Sequence, residues 1–228
     1  MSLNSAKIKL DTKQDPYLAM SPINLQRRSF TASRDPAVDT KVSAACLAYE
    51  AKNFAEALAI LLPVASDPAA QCFLGMVYLD DPDRVAMRES GWNNLIASAE
   101  AGYEYAWHVL GNRYLNLETN KFNLEQASRW LMKSAELGCI TSQYSLGWCL
   151  CKLENYIEAT KWLFLAVALG NSNAASLCES VSVNMTPEEY EHGYQLALKW
   201  LDFNEREPTE MYYAPLRAYI ESSLPRIK

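Results

Sequence analysis

The stretch AWHVLGNRY, residues 106–114, places Gly111 in the middle of a pattern that otherwise predicts a continuous helix. A glycine inside a helix costs about 0.5–1 kcal/mol relative to alanine. The same pair recurs as Leu74-Gly75 and Leu146-Gly147, and the three pairs start 36 residues apart. The recurrence predicts a repeat in which the missing side chain lets a neighbouring helix approach closely, so that packing offsets the lost helix propensity.

A second predicted helix follows each Leu-Gly helix and ends in a glycine. The three segments are GWNNLIASAEAG (91–102), ASRWLMKSAELG (127–138) and ATKWLFLAVALG (159–170). Glycine after the last apolar turn of a helix is typical of a left-handed C-terminal cap. We therefore predict that the chain folds into helix pairs whose second helices end at Gly102, Gly138 and Gly170.

The helical pattern extends beyond the three clear repeats in both directions. Residues 42–68 predict an earlier pair, and residues 173–182 predict a degraded first helix. A final helix is predicted to begin with Thr186 as N-cap, Pro187 at the first helical position and Glu189 completing a capping box. We expect a flexible or extended N-terminal segment (1–38), a repeat solenoid (39–201) and a C-terminal helical cap (202–228).

The repeat resembles the Sel-one-like repeat family, which is related to tetratricopeptide repeats. The residues that carry the resemblance are Ala106, Leu110-Gly111 and Tyr114, followed by Ala127, Trp130, Ala135-Glu136 and Gly138. The resemblance covers residues 42–201. It implies an all-α, right-handed superhelical solenoid of antiparallel helix pairs, with a concave groove lined mostly by the first helices. It also implies an adaptor that holds other proteins or peptides, as is typical of the family, many of whose members are bacterial.

Helical spacing of about 100° per residue places a second row of first-helix positions opposite the Leu-Gly face. An apolar and aromatic row of this kind is unusual at a protein surface unless something covers it. We predict that the row lines the concave groove and binds a protein or peptide, with Tyr144 and Trp148 as anchors. Its members are Cys72, Phe73, Met76, His108, Asn112, Tyr144 and Trp148. Alternatively, these side chains fill space between adjacent repeats, or meet a neighbouring subunit or the N-terminal segment.

The net charge of the chain is −6 and is unevenly distributed. Residues 1–38 carry six basic and three acidic side chains, whereas the rest carries 15 basic and 24 acidic ones. An acidic body repels a phosphate backbone, so we expect no nucleic-acid partner. No apolar run reaches the roughly 18–20 residues of a membrane span, and the start lacks the pattern of a secretory leader. We therefore expect no membrane partner and a cytoplasmic location, unless a leader peptide has been removed.

Neither the cysteines nor the histidines form a pattern that indicates chemistry. The six cysteines do not follow the 36-residue period, which favours free buried thiols over a disulfide framework. The two histidines, His108 and His192, belong to different predicted helices. No phosphate-binding glycine loop, nucleophile elbow or His-Glu-x-x-His motif is present. We predict no catalytic residues, no metal site and no cofactor.

Three functions are compatible with these patterns. The first is a non-catalytic protein–protein interaction scaffold, or adaptor, that binds a protein or peptide in its groove. The second is an immunity or inhibitor protein that masks one bacterial toxin or enzyme. The third is a hydrolase similar to the cysteine-rich repeat proteins once linked to β-lactam binding, although those carry periodic disulfides that this sequence does not predict. The oligomeric state stays open between monomer and dimer.

Overall fold

The computed structural model describes residues 36–117, 121–168 and 171–204, and the regular structure in these ranges is helical. Two short 3-10 helices lie at Leu62–Val64 and Pro82–Met87. The ten α-helices of these ranges are α1 (Pro36–Glu50), α2 (Phe54–Leu61), α3 (Pro68–Asp80), α4 (Arg88–Glu100), α5 (Glu104–Tyr114), α6 (Leu124–Glu136), α7 (Ile140–Lys152), α8 (Tyr156–Ala168), α9 (Ser172–Ser182) and α10 (Pro187–Asn204).

Consecutive helices form four antiparallel pairs that stack one after another. The pairs are α1 with α2, α3 with α4, α5 with α6, and α7 with α8. The first helices also contact each other along the array, since α3 contacts both α1 and α5, and α5 contacts α7. This arrangement confirms the predicted all-α solenoid of helix pairs.

The glycines of the Leu-Gly pairs occupy equivalent positions in three successive pairs. A Cβ atom added to Gly75 would lie 2.7 Å from Leu95 Cγ, and one added to Gly111 would lie 2.6 Å from Leu131 Cγ. A Cβ atom at Gly147 would lie 2.6 Å from Leu163 Cγ. Contacts this short do not occur at real Cβ atoms, so each glycine is what allows the first helix to approach the second helix of its own pair. The predicted close approach is confirmed.

The last part of the solenoid departs from the pairing pattern. Helix α10 packs mainly on α8, as does α9, so these two helices do not pair with each other as the helices of the first four pairs do. Gly193 allows this contact, because a Cβ atom there would lie 2.8 Å from the carbonyl oxygen of Ile157. The predicted start of α10 is confirmed: the Thr186 N–H donates to Glu189 Oε2 at 2.8 Å, and the Glu189 N–H donates to Thr186 Oγ1 at 3.2 Å.

The second helices α4 and α6 end as predicted, with Gly102 and Gly138 both at φ +84°. Gly170 lies outside the described residues. Two non-glycine residues adopt the same left-handed region, Lys52 at φ 60° after α1 and Glu154 at φ 59° after α7. A side chain with a Cβ atom is strained there, whereas glycine is not.

We expect Glu154→Gly to stabilise the protein by about 0.5–1 kcal/mol, because it removes this strain from an exposed turn. The free energy of unfolding from urea titration measures the effect. The matched control is Glu100→Gly at the exposed last residue of α4, where helical φ makes glycine unfavourable and a loss of similar size is expected. A loss at both positions would contradict the interpretation.

Two hydrophobic clusters form the interior. The first joins α1 to α5, and the second begins at Leu115 and joins α6 to α10. Helix α6 contributes to both, with Trp130 in the first cluster and Leu131 in the second. The boundary between the clusters therefore runs along α5, α6 and the start of α7.

The ends of the solenoid differ slightly from the predicted boundaries. Helix α1 begins at Pro36, ahead of the boundary at residue 39, and α10 continues to Asn204, past residue 201. The rest of the predicted N-terminal segment and C-terminal cap, residues 1–35 and 205–228, lies outside the described residues. Across the parts of the chain that the structure covers, no helix combines the length and apolar character needed to cross a bilayer.

Candidate functional site

The residues of the predicted groove row lie on α3, α5 and α7. The Phe73 ring stacks on Tyr105, with ring centroids 5.9 Å apart, and Tyr105 stacks on His108 at 6.1 Å. On α7, Tyr144 and Trp148 lie one helical turn apart on the same face. The structure thus links Phe73 on α3 to His108 on α5 through the Tyr105 ring.

Most of this row is buried rather than exposed at the surface. Five of the seven predicted residues are at most 8% exposed: Cys72, Phe73, Met76, His108 and Trp148. Asn112 and Tyr144 are half-buried. The physical reason is contact between adjacent repeats, since aromatic and polar side chains of one first helix pack on the next. The binding role of the row stays a prediction.

Polar contacts join α5 to α7 within the row. Ser145 donates a hydrogen bond to Asn112 Oδ1 at 2.8 Å, and His108 Nδ1 lies 2.7 Å from Ser142 Oγ. Ser142 in turn donates to Ser134 Oγ on α6 at 2.9 Å. The side chains of His108, Ser142 and Ser134 are thus joined to one another, whereas the buried Trp148 Nε1 makes no hydrogen bond.

Cys139 lies beside this network and was not singled out from the sequence. Its Sγ atom is 3.7 Å from His108 Nδ1 and 3.4 Å from Thr141 Oγ1. Burial alone would raise the pKa of the thiol, but the charge of His108 and a hydrogen bond with His108 lower it from 9.0 to about 6. A signal in the sequence does exist, because the N-cap positions of the first helices, Asp67, Tyr103 and Cys139, follow the 36-residue period.

The six cysteines are free thiols, and five of them are buried. No group of three or more His, Cys, Asp or Glu side chains that could hold a metal ion occurs in the portion of the chain described. His192 lies exposed on α10, in a different part of the fold from His108. The geometry at His108 places the Cys139 and Ser142 side chains on the same ring nitrogen, Nδ1.

A second surface, which sequence reasoning missed, lies where each first helix turns into its partner. These turns meet at one edge of the solenoid, because the first helices run in the same direction. Each of three successive turns exposes apolar side chains, which are 37–73% exposed and comprise Val85, Leu117, Phe122 and Leu153. Leu62 and Leu137, 53% and 40% exposed, lie in connections at the opposite edge. The sequence alone does not show which loop residues stay uncovered.

The comparisons with solved structures identify helical solenoids. A protective antigen present in uropathogenic Escherichia coli strains and displaying an SLR fold is 18% identical, with a TM-score of 0.55 over 83% of this chain and 43% of that one. The chain thus spans less than half the length of that protein. The protein MamA AMB-1 is 20% identical, with a TM-score of 0.50 over 77% of this chain and 93% of the other. At this identity the likeness establishes the fold alone.

No protein-family model matches the chain. No curated protein matches it either.

Proposed function

We propose that this chain is a Sel-one-like repeat protein that acts as a non-catalytic scaffold and binds a protein or peptide partner on its first-helix side. The proposal rests on the repeat fold together with the apolar side chains exposed at three successive first-helix turns. Repeat arrays bind through extended surfaces to which each repeat contributes a few residues. A row with one apolar contribution from each successive pair suits an extended partner segment that carries apolar or aromatic side chains.

The predicted groove supplies the second part of the proposed surface. Tyr144 is half-buried on α7, and Lys152 lies over the Trp148 ring at 5.5 Å from its centroid. Asn112 is half-buried on α5 and already joined to Ser145. Tyr144 is therefore the predicted groove residue best placed to contact a partner without repacking the interior.

The charge of the chain also favours a protein segment as the partner. The rest of the chain beyond residue 38 carries an excess of acidic over basic side chains, so a basic or neutral protein segment is attracted and nucleic acid is repelled. The apolar turns carry the contact, and the acidic surroundings increase the rate of encounter.

We expect Leu117→Ser/Leu153→Ser to reduce partner capture at least about tenfold, because two exposed apolar contacts are lost. Affinity purification of the tagged protein from cells that express the intact gene, followed by mass spectrometry, identifies the partner, and titration of that partner measures the loss. The matched control is Leu62→Ser/Leu137→Ser at the opposite edge, which is expected to bind as the wild type does. Tyr144→Ala tests the groove separately and is expected to weaken binding.

Two results would overturn the proposal. One is that no partner is enriched above the level of an unrelated tagged protein. The other is that the variants at the two edges and Tyr144→Ala all bind a captured partner with unchanged affinity, which would place the contact elsewhere.

A further inference from the structure

One side of α1 is exposed and largely uncharged. Helical spacing places Thr40, Ala44 and Leu47 on the same side of the helix, and all three side chains are exposed, Leu47 by 65%. Lys41 is exposed at the border of this side. We call these four residues the α1 face. A single exposed leucine needs no explanation by itself, so the meaning of the face depends on how the other first helices use the same positions.

In α7 the equivalent face is completely buried. Lys52 after α1 and Glu154 after α7 both adopt the left-handed φ, which matches the residues of the two helices at a separation of 102. The three residues of α7 that match the uncharged residues of the α1 face are each 0% exposed: Ser142, Leu146 and Cys149. The Cys149 thiol donates to the Leu124 carbonyl oxygen at 3.1 Å, and α6 packs along α7. Helix α6, which precedes α7, therefore contributes to covering this face.

The covering helix comes from the chain directly before each of these first helices. Only three residues separate α4 from α5, and three separate α6 from α7. Trp107 Nε1 donates to the carbonyl oxygen of Ala99 at 2.8 Å, and Gln143 Nε2 donates to that of Ala135 at 3.3 Å, in both cases eight residues earlier. Lys41 takes the position of Gln143 in α1. By the same geometry, the chain directly before α1 is placed to cover the α1 face.

The sequence before α1 has the length and the start signal of a covering helix. The chain outside the structure at this end is 35 residues long and leads directly into the first residue of α1. Ser21 followed by Pro22 is typical of an N-cap and the first position of a helix. Residues 22–33 number twelve, whereas α4, α6 and α8 have 13 residues each. Ile23 and Phe30 are seven residues apart and so would share one side of such a helix.

We propose that residues 22–33 pack on the α1 face, in the place that α6 holds on α7, and close this end of the solenoid. The composition of the segment alone favours an extended form, whereas the open face of α1 favours a packed one. Ile23 and Phe30 cover Leu47, and Lys41 binds carbonyl groups at the end of the segment, as lysines near helix C-termini do. Repeat arrays need capping elements at their ends, and this segment supplies one. The inference goes beyond the proposed function, because the α1 face is separate from the first-helix turns.

The first test places the photo-cross-linking amino acid p-benzoylphenylalanine at the position of Leu47 in the full-length chain. Peptide mass spectrometry then locates the product. We expect cross-links to residues 22–33 of the same chain, at least about tenfold more frequent than from the control position, because a tethered segment has a high effective concentration. The matched control carries the same amino acid at Val183, which is 82% exposed after α9.

The second test measures thermal unfolding of full-length variants. Leu47→Glu and Phe30→Ser are each expected to lower the unfolding midpoint by at least about 3 °C, because each removes the same apolar contact. The double variant is expected to lose less than the two single losses combined, since the contact can be lost only once. Val183→Glu is the control for an exposed apolar residue without a partner segment and is expected to shift the midpoint by less than about 1 °C.

A cross-link from position 47 to a second chain, seen as a covalent dimer, would overturn the proposal and assign the α1 face to another copy of the protein. Cross-links to residues 22–33 no more frequent than in the control would also overturn it, and this measurement does not require Phe30→Ser to fold. Unchanged midpoints in both Leu47→Glu and Phe30→Ser would do the same. None of these results depends on the partner-binding function.

Discussion

Gly75→Ala is expected to destabilise the fold by about 2 kcal/mol, although alanine is the better helix former by about 1 kcal/mol. The new Cβ atom would lie 2.7 Å from Leu95 Cγ and 2.8 Å from the carbonyl oxygen of Gly91. Backbone cannot move aside as a side chain can, so α3 and α4 must separate. Helix propensity and packing thus predict opposite signs, and the free energy of unfolding from urea titration shows which of them dominates.

A comparison between two pairs of helices sharpens this prediction. At Gly147 the clash is mainly with the side chain of Leu163, whose Cγ and Cδ2 atoms would lie 2.6 Å away, and the nearest backbone oxygen is at 3.3 Å. Truncation to Leu163→Ala opens space, so Gly147→Ala should cost about 1 kcal/mol less in that background. Leu95→Ala leaves the Gly91 oxygen in place, so the cost of Gly75→Ala should persist.

The control for both glycines is Gly102→Ala. No atom lies within 4 Å of a Cβ atom there, but φ is +84°, so a loss of about 1 kcal/mol from backbone strain alone is expected. If Gly75→Ala proved as stable as the wild type or more stable, close packing would not be the reason for the Leu-Gly repeat.

Asp80→Asn is expected to destabilise the protein by about 2 kcal/mol, because Asp80 joins three successive first helices. The Arg113 guanidinium binds both carboxylate oxygens, at 2.7 and 2.5 Å, and the Tyr49 hydroxyl donates to Oδ2 at 2.5 Å. Both charged side chains are about three-quarters covered. Asparagine preserves the shape of Asp80 but removes the negative charge that the half-buried guanidinium contacts.

The loss of stability in Asp80→Asn should become smaller as the pH falls. Burial raises the pKa of Asp80, but hydrogen bonds and charge from Arg113, with smaller contributions from Tyr49 and Lys52, bring it below its usual 3.8. A lowered pKa in the folded state gives stability that is present above pH 3.8 and is lost as the pH falls through the folded value. Urea titrations of the wild type and Asp80→Asn should therefore differ at about pH 7 and converge in strong acid.

An exposed ion pair serves as the control for Asp80. Lys121 and Glu89 lie 3.2 Å apart with exposed side chains, so Glu89→Gln should change the free energy of unfolding by less than about 0.5 kcal/mol. Equal effects of Glu89→Gln and Asp80→Asn would contradict the role assigned to Asp80, as would a difference that grew in acid.

The repeat itself could be predicted from the sequence because its cause is local. Each repeat has one glycine inside its first helix and another just after its second helix. These glycines impose the same geometry in every repeat, so their regular spacing reveals the repeat. The capping box at Thr186 and Glu189 is local in the same way. The packing of α10 on α8 was not predictable from spacing, since nothing in the sequence period says which earlier helix a closing helix contacts.

The surroundings of the groove row were harder to predict than its existence. Helical spacing gives the face on which Phe73 and His108 lie, but not what covers that face. Tyr105 contacts both rings; it lies one helical turn before His108 on the same face of α5, and the predicted row did not include it. The contact between Cys139 and His108 joins residues of adjacent repeats, so it depends on how closely the repeats stack. The sequence signal for this contact was that the N-cap positions of the first helices, Asp67, Tyr103 and Cys139, recur every 36 residues.

The polar network between α5 and α7 has a mechanical consequence. In a repeat array, each repeat contacts only its neighbours. Stiffness therefore varies along the axis with the strength of the interface between each two adjacent repeats. Here the contact between α5 and α7, which is rich in hydroxyl, amide and imidazole groups, lies between the two hydrophobic clusters. Under tension or torsion, the solenoid should therefore yield first at the contact between α5 and α7.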